Sequence, residues 1–222
     1  MRDPYFANYK LQIAIYQWAR VACRVMASGE QTTALIRQLP PMGVGFILVA
    51  LYWGGALAIG AALWSSGAIQ NSTEFLQAFS HYLWTFVLIT LVAWAYWLYC
   101  VYAFHKVLAE VPGWRHPTAP GKAVWLYFIL GYNFYWMVKW PSQVADFVNW
   151  RTGSVKMPRW LPGTVALIAF FLRFVESGLG TALIFGVGVY LSHYIKLALL
   201  AQPPLSTLSS GQSQKPDDRV IG

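Results

Sequence analysis

The sequence predicts an all-α integral membrane protein with four transmembrane helices, one re-entrant segment and an interfacial N-terminal helix. Three observations lead there. Of 222 residues, 57% are hydrophobic and only 11% are charged, where a soluble domain carries about 25% charged residues. Several uncharged runs reach the ~20 residues that a helix needs to cross a ~30 Å hydrocarbon core. Lysine and arginine gather at the ends of those runs, and none occurs between Arg37 and Lys106. That distribution reads as membrane topology and contact with anionic lipid, so the net charge of +8 does not argue for nucleic acid.

Residues 1–42 form the interfacial part. Over 5–27, Leu11, Ile15, Trp18, Ala22 and Val25 recur at helical spacing as an apolar stripe. Lys10, Gln17 and Arg24 line the opposite side, with Arg20 beside them. Lys10, Arg20, Arg24 and Trp18 would meet the lipid surface, as in an amphipathic helix lying in the headgroup plane. Arg2 and Asp3 lead into this pattern without the apolar core of a signal peptide. A second short helix runs through Arg37, and Pro40-Pro41 ends the region.

The membrane domain, 43–200, holds spans at about 44–65, 82–104, 161–176 and 180–199. Gly54, Ala58 and Ala62 at i, i+4, i+8 give the first span a small-residue stripe that a second helix can approach closely. The polar loop Ser66–Ser80 carries Glu74 as its one charge and would face outward, with both termini cytoplasmic. The 161–200 run is too long for one span, and V-E-S-G-L-G at 175–180 breaks it into an antiparallel pair. Gly180, Ala182, Gly186 and Gly188 give its last helix a small face. Residues 201–222, rich in Ser, Gln and Gly, read as a disordered cytoplasmic tail.

Between Lys122 and Lys139 the sixteen apolar-rich positions would reach only ~24 Å as a helix, short of a crossing. Gly131 and Asn133 interrupt them, and basic residues follow on both sides. The 122–139 segment therefore reads as re-entrant, so that both flanking loops stay on the cytoplasmic side. Backbone at that depth has to be satisfied by protein, and the Asn133 amide is placed to help. Ser142–Arg151 reads as a further surface helix, with Val144, Phe147 and Val148 on one face.

The stretch Pro120-Gly121-Lys122-Ala123-Val124, through Phe128-Ile129 and Asn133 to Tyr135-Trp136, resembles a group of uncharacterised bacterial multi-pass membrane proteins. Their signature is P-G-K-A-V…F-I-P-F-F-N-x-Y-W, followed by an amphipathic piece and a Gly-rich terminal hairpin. The likeness covers roughly 95–200. Where those proteins carry proline, this chain has Leu130-Gly131. The resemblance implies the architecture and a bacterial cytoplasmic membrane, or an internal membrane of similar topology, and brings no activity with it.

Few residues are placed for chemistry. Arg173 and Glu176, three apart near a helix end, are either solute contacts or a structural ion pair. Asn133 is either a solute contact or a satisfier of its own turn. His105 and His193 both fall near cytoplasmic helix ends, where facing imidazoles could hold a haem. Cys23 and Cys100 lie in no metal-ligand or disulfide pattern. No paired-carboxylate site, nucleophile motif or phosphate loop is present, so catalysis is not expected. The expected function is a non-catalytic membrane subunit or scaffold packing against another membrane protein or a copy of itself. The alternatives are a homo-oligomeric pore or carrier and a haem- or pigment-binding protein.

Overall fold

In the computed structural model, residues 29–65 and 72–201 are described, with only the backbone for 72–79, 81 and 82. The lipid-surface residues Lys10, Trp18, Arg20 and Arg24 and the tail lie outside the described residues. The chain divides into two compact units, Met1–Gln38 and Leu39–Gly222. Of the first, the described residues 29–38 are one helical run, in which Thr33 Oγ1 donates to the Gly29 carbonyl at 2.9 Å.

The second unit is built from helices alone among its described residues: α1 (Gly43–Ser65), α2 (Ser72–Ala109), α3 (Pro120–Trp125), a 3-10 turn (Leu126–Phe128), α4 (Tyr132–Thr152), α5 (Leu161–Val175) and α6 (Ser177–Leu200). Among the described residues, three helical stretches are long and apolar enough to cross a membrane: the one ending at Ser65, Leu83–Ala109 within α2, and Ser177–Leu200. α5 is apolar but only 15 residues long.

α2 corrects one expectation. The segment 72–80, read from its polarity as loop, is the start of a 38-residue helix some 57 Å long at ~1.5 Å per residue. No glycine or proline lies between Ser72 and Ala109 to stop it. It ends where Pro112-Gly113 follows, with Gly113 at φ 78°. Burial along it is lopsided. Leu83, Trp84, Leu88 and Leu91 are exposed, whereas Trp97, Cys100, Val101, Phe104, His105 and Leu108 are buried.

The 120–141 stretch is not one helix. Trp136 Nε1 donates to the Ala123 carbonyl at 2.8 Å, and Trp140 Nε1 to Tyr127 Oη at 2.7 Å, each across 13 residues. In a continuous helix 13 residues span ~20 Å, beyond the reach of any indole, so the chain folds back between the two arms. The bend is Ile129 to Gly131, where Ile129 is extended and Gly131 takes φ 78°, a conformation that favours glycine. Leu130, at the tip, is 98% exposed. Its neighbours Phe128 and Ile129 are also exposed.

The expected separate helix over 142–151 is instead the continuation of the outgoing arm, since α4 runs through Pro141 without a break. Proline there removes the bond to the Met137 carbonyl. The face it sits on offsets that loss: Trp140, Val144, Ala145, Phe147 and Val148 are all fully buried beside it. α4 stops at Gly153, which takes φ 63° as a left-handed C-cap. Beyond it Asn149 pins the loop: its Oδ1 accepts from the N–H groups of Lys156 (2.9 Å) and Met157 (3.0 Å), and its Nδ2 donates to the Met157 carbonyl (2.9 Å).

α6 is the hub, packing on α1, α2, α4 and α5. Its contacts with α5 are the closest. The hairpin between them is a single residue, Glu176, with extended backbone (φ −146°, ψ 107°). A Cβ on Gly180 would come within 2.6 Å of the Ala169 carbonyl oxygen and the Arg173 nitrogen. Gly163 similarly admits the backbone of Val138 from α4. The small stripe of α1 does no such work within the chain: Gly54, Ala58 and Ala62 are exposed, and a Cβ at Gly54 would meet nothing within 4 Å.

Gly163→Ala should therefore lower the thermal unfolding temperature in detergent micelles, at a cost of about 1–3 kcal/mol for overpacking. Gly54→Ala should leave it unchanged or raise it, since helix propensity alone favours alanine by up to ~1 kcal/mol. Equal effects of the two substitutions would contradict the packing described.

Candidate functional site: a buried histidine pair

The most enclosed polar cluster lies where α2 ends and the 110–119 loop turns back. His105 is in the last two turns of α2 with no exposed surface. The turn at Pro112-Gly113 returns His116 to it, with His105 Nδ1 and His116 Nε2 2.6 Å apart. Trp114 Nε1 reaches His116 Nδ1 at 3.4 Å. An indole N–H can only donate, so His116 accepts at Nδ1 and carries its proton on Nε2. That proton is donated to His105 Nδ1. His105 must then hold its own proton on Nε2, and this N–H is buried with no partner among the described residues.

Aromatic rings wall the pair. The His105 ring lies nearly parallel to Trp136 (centroids 5.8 Å apart, 19° between planes) and tilted against Trp140 at 5.8 Å. Trp114 rests on Phe147 and Trp150 of α4 at 5.6 and 5.1 Å. A second tie holds the same loop, Thr118 Oγ1 donating to Gln143 Oε1 at 3.2 Å, both side chains buried. Burial pushes the His116 imidazole down to about 4 from its ordinary 6.5, because an apolar wall penalises the cation. Desolvation also lowers the Arg151 guanidinium from its usual range. The arrangement stores one neutral hydrogen-bonded chain, Trp114 to His116 to His105, that latches a loop onto two helices.

No protein-family model, curated protein or solved structure matches this chain.

The residues singled out from the sequence fall elsewhere. His193 is exposed on α6 with its ring edge-on to Tyr194 at 5.6 Å, so His105 meets His116 and not His193. Nothing in this geometry presents His105 and His193 as facing ligands for a haem iron. Two imidazole nitrogens sharing a metal at ~2.0 Å each would also stand farther apart than the 2.6 Å of the His105–His116 bond. Among the described residues no cluster of three metal-ligating side chains occurs.

Arg173 and Glu176 form no ion pair with each other. The Glu176 carboxylate caps α6, accepting from the Gly178 N–H at 3.0 Å and from the Leu179 N–H. Arg173 lays its Cγ over Gly180. Asn133 Oδ1 accepts the Phe134 N–H at 2.9 Å, serving the first turn of α4. Trp114, His116, Gln143 and Asn149 escaped sequence reasoning because their partners are set by where the loops return. The one available signal was the Pro-Gly turn seven residues after His105.

The sign of the pH dependence follows from His116. A histidine held below its unfolded value binds its proton less readily when folded, so stability is full above ~6.5 and drains as pH falls toward about 4. The unfolding temperature should drop across that window, and His116→Gln should flatten the drop. A wild-type profile that is level from pH 7 to 4 would contradict the neutral pair.

Proposed function

We propose that this chain is a non-catalytic multi-pass subunit or scaffold of a bacterial cytoplasmic membrane, packing against another integral membrane protein. The supporting observation is α1. Across 23 residues it buries only Gly45 and Leu63 fully. Phe46, Ile47, Leu51, Trp53, Leu57 and Trp64 are exposed, and so is the stripe Gly54, Ala58, Ala62. In a bilayer apolar exposure is ordinary, but helices are held together by close packing, and small residues mark where that happens. A small stripe open along a weakly anchored helix is surface suited to a second helix.

In this reading α1, the Leu83–Ala109 part of α2, α5 and α6 cross the membrane and the 122–139 segment dips in and returns. The fold-back at Ile129–Gly131 and the exposed apolar tip support the dip. The basic loops around Arg115, Lys122, Lys139, Lys156 and Arg159 then share the cytoplasmic side, as the positive-inside rule asks. Both termini lie on that side too.

The test is native mass measurement of the protein extracted gently from its own membrane. A complex containing a different polypeptide is expected, and Gly54→Leu, at a position where an added Cβ meets nothing within 4 Å among the described residues, should abolish it. A monomer under every gentle condition would overturn the proposal. So would a ring of identical chains, which would favour a pore.

A further inference from the structure

The α5–α6 hairpin leaves a groove of about 210 Å³ on its outer side, lined by Leu161, Val165, Leu183, Gly186, Val187 and Tyr190. Gly186 is its floor. A Cβ there would meet nothing within 4 Å, unlike Gly180 and Gly188 on the same helix, which are filled by Arg173 and Ala169 and by Met42 and Trp97. Seven residues on, His193 falls on the same helical face as Gly186. It is exposed, and its neighbour Tyr194 packs on Tyr190 at 4.7 Å.

The apolar slot thus gives way to phenols and an imidazole at one end. At that same end Arg159 stands two residues before Leu161, with its side chain 73% exposed. Trp160 between them is exposed as well. Lys156 and Lys196 follow on the adjoining loop and helix end, both exposed. The carboxylate recorded against this group is Asp146, already paired with Arg159.

We propose that this groove holds one anionic phospholipid. An acyl chain lies along Leu161, Val165, Leu183 and Gly186, and the phosphate sits at the mouth beside Arg159, with Tyr190 and His193 as hydrogen-bond donors. The order of the lining, apolar slot, then aromatic ring, then cation, is the order a lipid presents from tail to headgroup. Among the described residues, the exposed Lys156 and Lys196 exceed the one carboxylate here, Asp146, which Arg159 pairs with, and that excess selects the negative headgroup. The inference rests on the membrane reading given above.

The full chain is reconstituted in equimolar phosphatidylglycerol–phosphatidylcholine vesicles, extracted gently and weighed intact. Wild type should carry a phosphatidylglycerol adduct in preference to phosphatidylcholine. At Gly186 an added Cβ meets nothing within 4 Å, so Gly186→Leu extends a side chain into the slot and should cut that adduct about tenfold, equivalent to ~1.4 kcal/mol. Gly60→Leu, on α1, where an added Cβ also meets nothing within 4 Å, should leave it intact. Equal retention of both lipids, a phosphatidylglycerol adduct indifferent to Gly186→Leu, or a second copy of the chain displaced by that substitution would each overturn the lipid site. A carbonate wash of the same vesicles separates the two readings. Protein that washes off defeats the membrane reading itself, whereas protein that stays without lipid preference defeats the lipid site alone.

Discussion

The fold of this chain turns on how one fold-back among its described residues is closed by protein. The stretch is Leu126–Gly131, a 3-10 turn followed by an extended residue and a positive-φ glycine. Its arms are stitched by two indoles, Trp136 to the Ala123 carbonyl and Trp140 to Tyr127. Asn133 serves the start of the outgoing arm.

The rest of the packing follows from those tryptophans. Trp140 is fully buried, stacks on Phe104 at 6.2 Å and touches Trp97 at 6.0 Å. Trp97 in turn meets Phe185 of α6 at 6.1 Å. One aromatic chain therefore ties the fold-back to α2 and to the hub helix. The tightest packing lies here, with the histidine pair at its edge, while Leu83, Trp84, Leu88 and Leu91 of α2 and most of α1 are exposed. A neutral histidine pair suits such a place, since either cation would have to be held between Trp114, Trp136 and Trp140 without a facing carboxylate.

The helical class was legible from composition and apolar run length, and the fold-back from a short run flanked by lysines and broken at Gly131. Element boundaries that depend on what stops a helix were less so. Polar residues at 72–80 looked like loop although nothing there breaks a helix, and Pro141 looked like an end although its buried neighbours carry the helix through. The site was the least legible part. His116 has no partner in the local pattern, which cannot show that Pro112-Gly113 folds the loop back against α2. Glu176 and Arg173 looked like an ion pair at i, i+3, but helical spacing fails where Glu176 itself leaves the helix to cap the next one.

The central claim is that the chain dips at Ile129–Gly131 and returns to the side it left. In a background with Cys23→Ser and Cys100→Ala, single cysteines would be placed at the exposed Ala119 and Ser154, either side of the dip, and labelled with a membrane-impermeant maleimide in right-side-out and inverted vesicles. The account predicts that both positions label in the inverted vesicles and neither in the right-side-out ones. Labelling of the two from opposite faces would mean that the segment crosses, and would contradict it.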